Sequence, residues 1–199
     1  MKHFIRAGVA GLALLAAAPA FALDMRISGN TISLSGSINN GDEATFREHL
    51  DSPAGKNVRI VRLNSGGGWI FPAGEIGRLV RKRGLSTYFD VSGSKCASAC
   101  ILIFGGGVNR HYVNGQGIQD GIVDPRQSRG LGFHEAWNPI SRHSNKYAPQ
   151  ATGEIIGYYY EFGISAAAKL ITQAPPNKLY QISGPTALSL GIATSLARP

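Results

Sequence analysis

The stretch VRIVRLNSGGGWIFPAGEIGRLVRKRGLSTYFDV, residues 58–91, constrains the fold more than any other part of the chain. Val58, Ile60 and Leu63 are apolar in a run rich in β-branched residues, which predicts a strand. That strand runs straight into Asn64-Ser65-Gly66-Gly67-Gly68. Ile76, Leu79 and Val80 then recur at helical spacing, with Arg81, Lys82 and Arg83 in the last turn and Gly84 as the stop. Residues 85–91 predict a second strand. Strand, glycine-rich loop, helix and strand in this order make a right-handed βαβ unit, so the chain is α/β with parallel pairing.

The flanking sequence fits one domain around that unit, with no internal repeat. Alternation across residues 26–38, broken at Gly29-Asn30, predicts two short strands. Asp42 opens a helix carrying Phe46 and Leu50, ended by Pro53 and Gly55. ACILIF, 99–104, is continuously apolar and therefore buried, whether helical or extended. Residues 108–130 are polar, glycine-rich and aperiodic, and predict a long exposed loop or flap. LGFH, 131–134, predicts a short strand into His134. Two helices broken at Gly163, a strand at LYQIS and a last short helix stopped by Gly191 complete the order.

Lys2 and Arg6, an apolar run, and Ala20-Phe21-Ala22 predict a signal peptide over residues 1–22, cleaved near Ala22. The domain then spans 23–199 and is periplasmic or secreted. The apolar run is too short to cross a bilayer, and no later stretch is long enough, so no membrane span is expected. Without Lys2 and Arg6 the formal charge of +8 falls to +6, spread without a basic run. Nucleic acid is not an expected partner. The only cysteines, Cys96 and Cys100, are four residues apart; as helical neighbours they would allow a disulfide without favouring it over two buried thiols.

Three stretches carry the parts of an acyl-transfer site. Ser98 lies between alanines at a strand-to-helix turn, where small neighbours leave its hydroxyl accessible for nucleophilic attack. Backbone N–H groups of Gly67, Gly68 and Ala99 can form an oxyanion hole. His134 is a base of the right ordinary pKa to take the serine proton. Lys95 and Lys169 are weaker candidates for the base, since neither neighbourhood predicts the burial that would lower a lysine pKa. His49, His111, His134 and His143 show no metal-ligand spacing, so neither a metal nor a cofactor is expected.

LNSGGGWIFPAGEIGRLVRKRGLSTYF, CASAC and LGFH, in this order, resemble the proteolytic subunit of Clp protease and the wider crotonase-like superfamily. Closest in pattern are uncharacterised exported bacterial proteins of that fold. The resemblance covers residues 30–194 and implies a single domain of stacked ββα turns. It further implies Ser98 as nucleophile, His134 as base, and Gly67, Gly68 and Ala99 as oxyanion donors. The ending ISGPTALSLGIAT is also similar to the family's closing segment.

Two positions depart from the family pattern. Gly66 stands where the proteases have proline. The family's triad Asp falls in TQAPPNKLYQ, which holds no carboxylate. Asn177 or Thr172 offers a neutral substitute there, and Asp120, Asp124 or Glu135 a carboxylate from elsewhere, Asp124 foremost. The expectation is a serine hydrolase of peptide or protein substrates, with a Ser98–His134 dyad or incomplete triad. Its rival is a non-catalytic peptide- or ligand-binding or assembly module on the same fold, in either case able to form a homo-oligomer. Export argues against the coenzyme A chemistry found elsewhere in the superfamily.

Overall fold

The computed structural model describes residues 23–137 and 148–199. The signal-peptide reading of residues 1–22 and His143 lie outside the described residues. Strands β1 (Asp24–Ser28) and β2 (Thr31–Ser35) form an antiparallel hairpin whose turn holds Gly29 at φ 58°. Then follow α1 (Asp42–Asp51), β3 (Ile60–Asn64), α2 (Ile70–Lys82) and β4 (Ser86–Asp90). β2, β3 and β4 pair in parallel, as the βαβ pattern requires.

After β4 the chain leaves this sheet for a two-residue strand, β5 (Cys96–Ala97), and a short helix, α3 (Cys100–Gly106). It returns as β6 (Arg110–Val113), which completes the order β1-β2-β3-β4-β6. A second sheet of order β5-β8-β9-β7 contains β7 (Gly121–Val123), β8 (Leu131–Phe133) and β9 (Leu179–Ile182). Helices α4 (Pro149–Glu161) and α5 (Ala167–Ile171) connect β8 to β9, and α6 (Gly184–Ser189) follows. Among the described residues no helix is long and apolar enough to cross a membrane.

The core follows from the periodicities. Ala73, Ile76, Gly77 and Val80 line the buried face of α2, at the i, i+3, i+4, i+7 positions of one helical stripe. Ile32, Leu34, Val61, Leu63 and Phe89 come from the sheet beneath, and all of α3 is buried. Each fully buried aliphatic contributes roughly 1.5–3 kcal/mol. α2 and α3 approach to backbone contact because Gly77 meets Gly106: a Cβ on Gly106 would lie 2.3 Å from the Gly77 carbonyl oxygen.

Residues 108–130 are not one continuous loop: 114–127 are largely exposed, but a strand of the large sheet precedes them. Arg110–Val113 is β6, paired in register with β4, and Tyr112 and Val113 are buried. The apolar pattern is hidden because a charged residue begins the strand. The Arg110 guanidinium is itself buried, and donates to the carbonyls of Gly107 (3.0 Å), Gly191 (3.0 Å) and Ile192 (2.8 Å). A charge can be buried when its donors are satisfied in this way.

Candidate active site

Cys96 and Cys100 form a disulfide with Cα atoms 5.3 Å apart. They are not helical neighbours. Cys96 belongs to β5 and Cys100 opens α3, so the bond spans the tight turn Ala97-Ser98-Ala99. Ser98 in that turn has φ 55°, one of two non-glycine residues with positive φ among the described residues. The left-handed conformation costs an ordinary residue about 1–2 kcal/mol. Three contacts hold it: its N–H donates to Gly132 O at 2.8 Å, its carbonyl accepts the Ile101 N–H at 3.0 Å, and the disulfide closes the flanks.

The glycine loop packs directly against this turn. A Cβ on Gly67 would lie 2.7 Å from Ser98 Cβ and 2.8 Å from Ala97 O, and Gly67 has φ 105°. Only glycine fits there. Ser65 bridges Cys96 in parallel, which sets the register between the loop and the serine. Of the three oxyanion donors expected from the sequence, Gly67 N–H is engaged by Ser65 Oγ at 3.1 Å. The N–H groups of Gly68 and Ala99 donate to no protein acceptor among the described residues. Ser65 was not singled out from the sequence; its place in NSGGG, where a serine hydroxyl can bond the backbone two residues on, is the signal that could have found it.

His134 reaches the same end of the molecule by sheet pairing. β5 and β8 run in parallel with Cys96 opposite Leu131 and Ala97 opposite Gly132. Ser98 follows Ala97 and donates its N–H to Gly132 O at 2.8 Å, two residues before His134. No hydrogen bond joins the Ser98 hydroxyl to the His134 ring, and His134 Nδ1 is buried without a partner among the described residues. Burial pushes the His134 pKa below its ordinary 6.5, against a smaller opposing backbone interaction with Glu135. The ring is therefore neutral near pH 7, the form a general base needs.

No hydrogen bond joins any candidate third member to His134 Nδ1 among the described residues, although Glu135 follows His134 directly and donates its N–H to Ala174 O at 3.1 Å, which brings the stretch from Thr172 to Asn177 beside it. Asp124 follows β7, and β9 stands between β7 and β8. Its carboxylate accepts the Arg126 N–H at 2.9 Å and faces Lys178 at 3.8 Å. Asn177 is exposed in the turn before β9, and Thr172 bonds back to Lys169 O. Asp120 accepts from Ser183 N–H and Thr186 Oγ1, both at 2.6 Å, at the start of α6. Lys95 and Lys169 are exposed. Among the described residues no cluster of three or more His, Cys, Asp or Glu could hold a metal ion.

No family model and no curated protein matches the sequence. Solved structures do match the fold. An alanine variant of the membrane-bound stomatin-specific protease 1510-N is 16% identical over 84% of this chain and 78% of its own, with a TM-score of 0.58. A second alanine variant of that protease, in complex with a substrate peptide, is 17% identical over 84% and 74%, with a TM-score of 0.59. A variant of ClpP1 from Listeria monocytogenes is 15% identical over 87% of this chain and 94% of its own, with a TM-score of 0.52. The fold is thus that expected from the LNSGGG, CASAC and LGFH pattern: a single α/β domain of the Clp protease-like, crotonase-like type.

Proposed function

We propose that the protein is an exported serine hydrolase that cleaves peptide bonds, with residues 1–22 as its signal peptide and residues 23–199 as the catalytic domain. The observation that carries this reading is the Ser98 turn, a strained serine held between a disulfide and Gly67, with two uncommitted N–H groups from Gly68 and Ala99 close by. Strain of this kind persists where the surroundings over-determine it, and it clusters at reactive sites. The proteases that share the fold support the substrate class.

Ser98 Oγ attacks the scissile carbonyl carbon while His134 takes the hydroxyl proton. The negative charge that develops on the carbonyl oxygen is received by the Gly68 and Ala99 N–H groups, and Gly67, tied to Ser65, fixes the loop. Collapse of the intermediate breaks the C–N bond; the amine leaves with the proton from His134, and an ester remains on Ser98. His134 then draws a proton from water as it attacks the ester carbon, and returns that proton to Ser98 Oγ as the C–Oγ bond breaks and the acid is freed. The unpartnered Nδ1 of His134 matches a dyad with no orienting carboxylate. In serine proteases loss of that acid lowers turnover by about 10⁴, so slow hydrolysis is expected.

The second reading, a module that holds an extended peptide without cutting it, draws on the absence of a bond between Ser98 and His134. Catalytic hydrogen bonds are often long before substrate binds, which keeps hydrolysis ahead. Fluorophosphonate labelling decides between them. Labelling of the wild-type protein, lost in Ser98→Ala and in His134→Ala, establishes the hydrolase; an unlabelled wild type establishes the module.

A further inference from the structure

A polar cleft of about 600 Å³ opens at the other ends of the segments that carry Ser98 and His134. Asn64 lies just before the glycine loop, Ser94 and Lys95 just before β5, and Ser128 and Arg129 just before β8. These segments run side by side, since Ser65 bridges Cys96 and β5 pairs with β8. Three residues of chain, about 10 Å when extended, separate Lys95 from Ser98. The cleft is therefore a place of its own rather than the mouth of the candidate active site.

Its hydrogen-bonding groups divide into those already used and those left over. Asn64 Oδ1 accepts the Lys95 N–H at 3.0 Å and its Nδ2 donates to Ser35 Oγ at 3.2 Å. Asn114 Nδ2 donates to Asp90 Oδ1 at 2.9 Å and Ser92 Oγ at 3.0 Å. Asp90, the carboxylate behind this wall, is taken up by Ser92 N–H, Tyr88 Oη, Asn114 and Arg198.

Four groups remain. The Ser94 and Ser128 side chains are buried, at 8% and 5% exposed, yet neither hydroxyl has a protein partner among the described residues, and neither is sealed from solvent. Lys95 and Arg129 form no ion pair among the described residues. The unused capacity of the cleft thus consists of two hydroxyl donors and two positive charges, with no carboxylate left to oppose them.

We propose that this cleft binds a small oxyanion, a carboxylate or phosphate group, with Lys95 and Arg129 supplying charge and Ser94 and Ser128 donating hydrogen bonds. Hydroxyls that face the cleft without protein partners are free to donate to a ligand, and two cations select a negatively charged one. The inference does not depend on hydrolysis at Ser98.

Calorimetric titration of the purified protein at fixed ionic strength tests it, with inorganic phosphate as one probe and acetyl-trialanine as the other. The C-terminal amide of the same peptide is the uncharged control. Saturable binding of either anion is expected, weakened about tenfold in Lys95→Gln and in Arg129→Gln, and unchanged in Arg47→Gln, which removes an exposed cation on α1. Phosphate alone would identify a phosphate ester as the natural ligand, and the peptide acid alone a chain terminus. No saturable binding of either probe, equal binding of the peptide amide, or equal weakening by Arg47→Gln would overturn the assignment and leave an adventitious ion only.

Discussion

The two sheets differ in what holds them together. The five-stranded sheet is built from strands of four or five residues in continuous register, with Ile32, Val61, Leu63 and Phe89 fully buried on it. The four-stranded sheet contains strands of two to four residues. Its ladder is too short to fix its members alone, and other bonds take over: the Cys96–Cys100 disulfide, and Gln181, whose side chain accepts from Arg129 and Gly130 N–H and donates to Gln119 O. Both sheets bury apolar side chains, Leu131, Phe133 and Ile182 among them on the second, but the shorter ladder of the second is supplemented by these individual links. The candidate nucleophile and base both sit on the second.

The sharpest way to break this comparison is to damage each sheet separately. Phe89→Ala in the large sheet removes a fully buried ring and is expected to cost about 3–5 kcal/mol, read as a drop in the urea midpoint. Fluorophosphonate labelling of the molecules that remain folded should persist. Replacing both cysteines by alanine should cost less, about 2 kcal/mol for so small a loop, yet should slow labelling several-fold. Equal loss of labelling in both variants would erase the distinction. Non-reducing and reducing alkylation, followed by mass measurement, checks that the bond is present at the start.

Ser98→Gly sharpens the contrast further. It relieves the left-handed strain and should raise stability by about 1 kcal/mol while abolishing labelling. A stability that falls instead would mean that the turn is not strained. The smallest effect concerns pH. Because the folded His134 pKa lies below 6.5, the acid limb of the labelling rate should fall below that value. The sign for stability is the same: between the unfolded and folded pKa values the unfolded ring binds the proton first, so the stability contributed by neutral His134 is present above 6.5 and lost below it. An acid limb above 6.5 would place a different group in the role of base.

The large sheet was legible because its residues repeat. β-branched alternation gave β3 and β4, and Ile76 and Val80 gave α2. The small sheet was legible only at LGFH and LYQIS, since two residues at Cys96-Ala97 carry no period. That is why the cysteine pair reads from sequence as a helical i, i+4 couple, when it spans a strand end and a helix start. β6 was missed for another reason. Arg110 at its head is polar in sequence but buried in the fold, and two of the three carbonyls that satisfy it, those of Gly191 and Ile192, come from positions that spacing does not join. Ser98, Gly67, Gly68, Ala99 and His134 were named from motifs; the engagement of Gly67 by Ser65 and the bare Nδ1 of His134 are properties of three-dimensional packing.

The Arg110 clasp also sets an order of events. Two of its three carbonyls belong to Gly191 and Ile192, and β6 is further joined to the end of the chain by Tyr112 N–H to Ser195 O and Thr194 N–H to Arg110 O, each at 2.9 Å. A chain delivered amino end first would keep a buried cation unsatisfied and a sheet edge open until residues 191–195 arrived. Maturation of the large sheet is thus tied to residues 191–195, and a molecule in which they are not yet in place is held back from its final form.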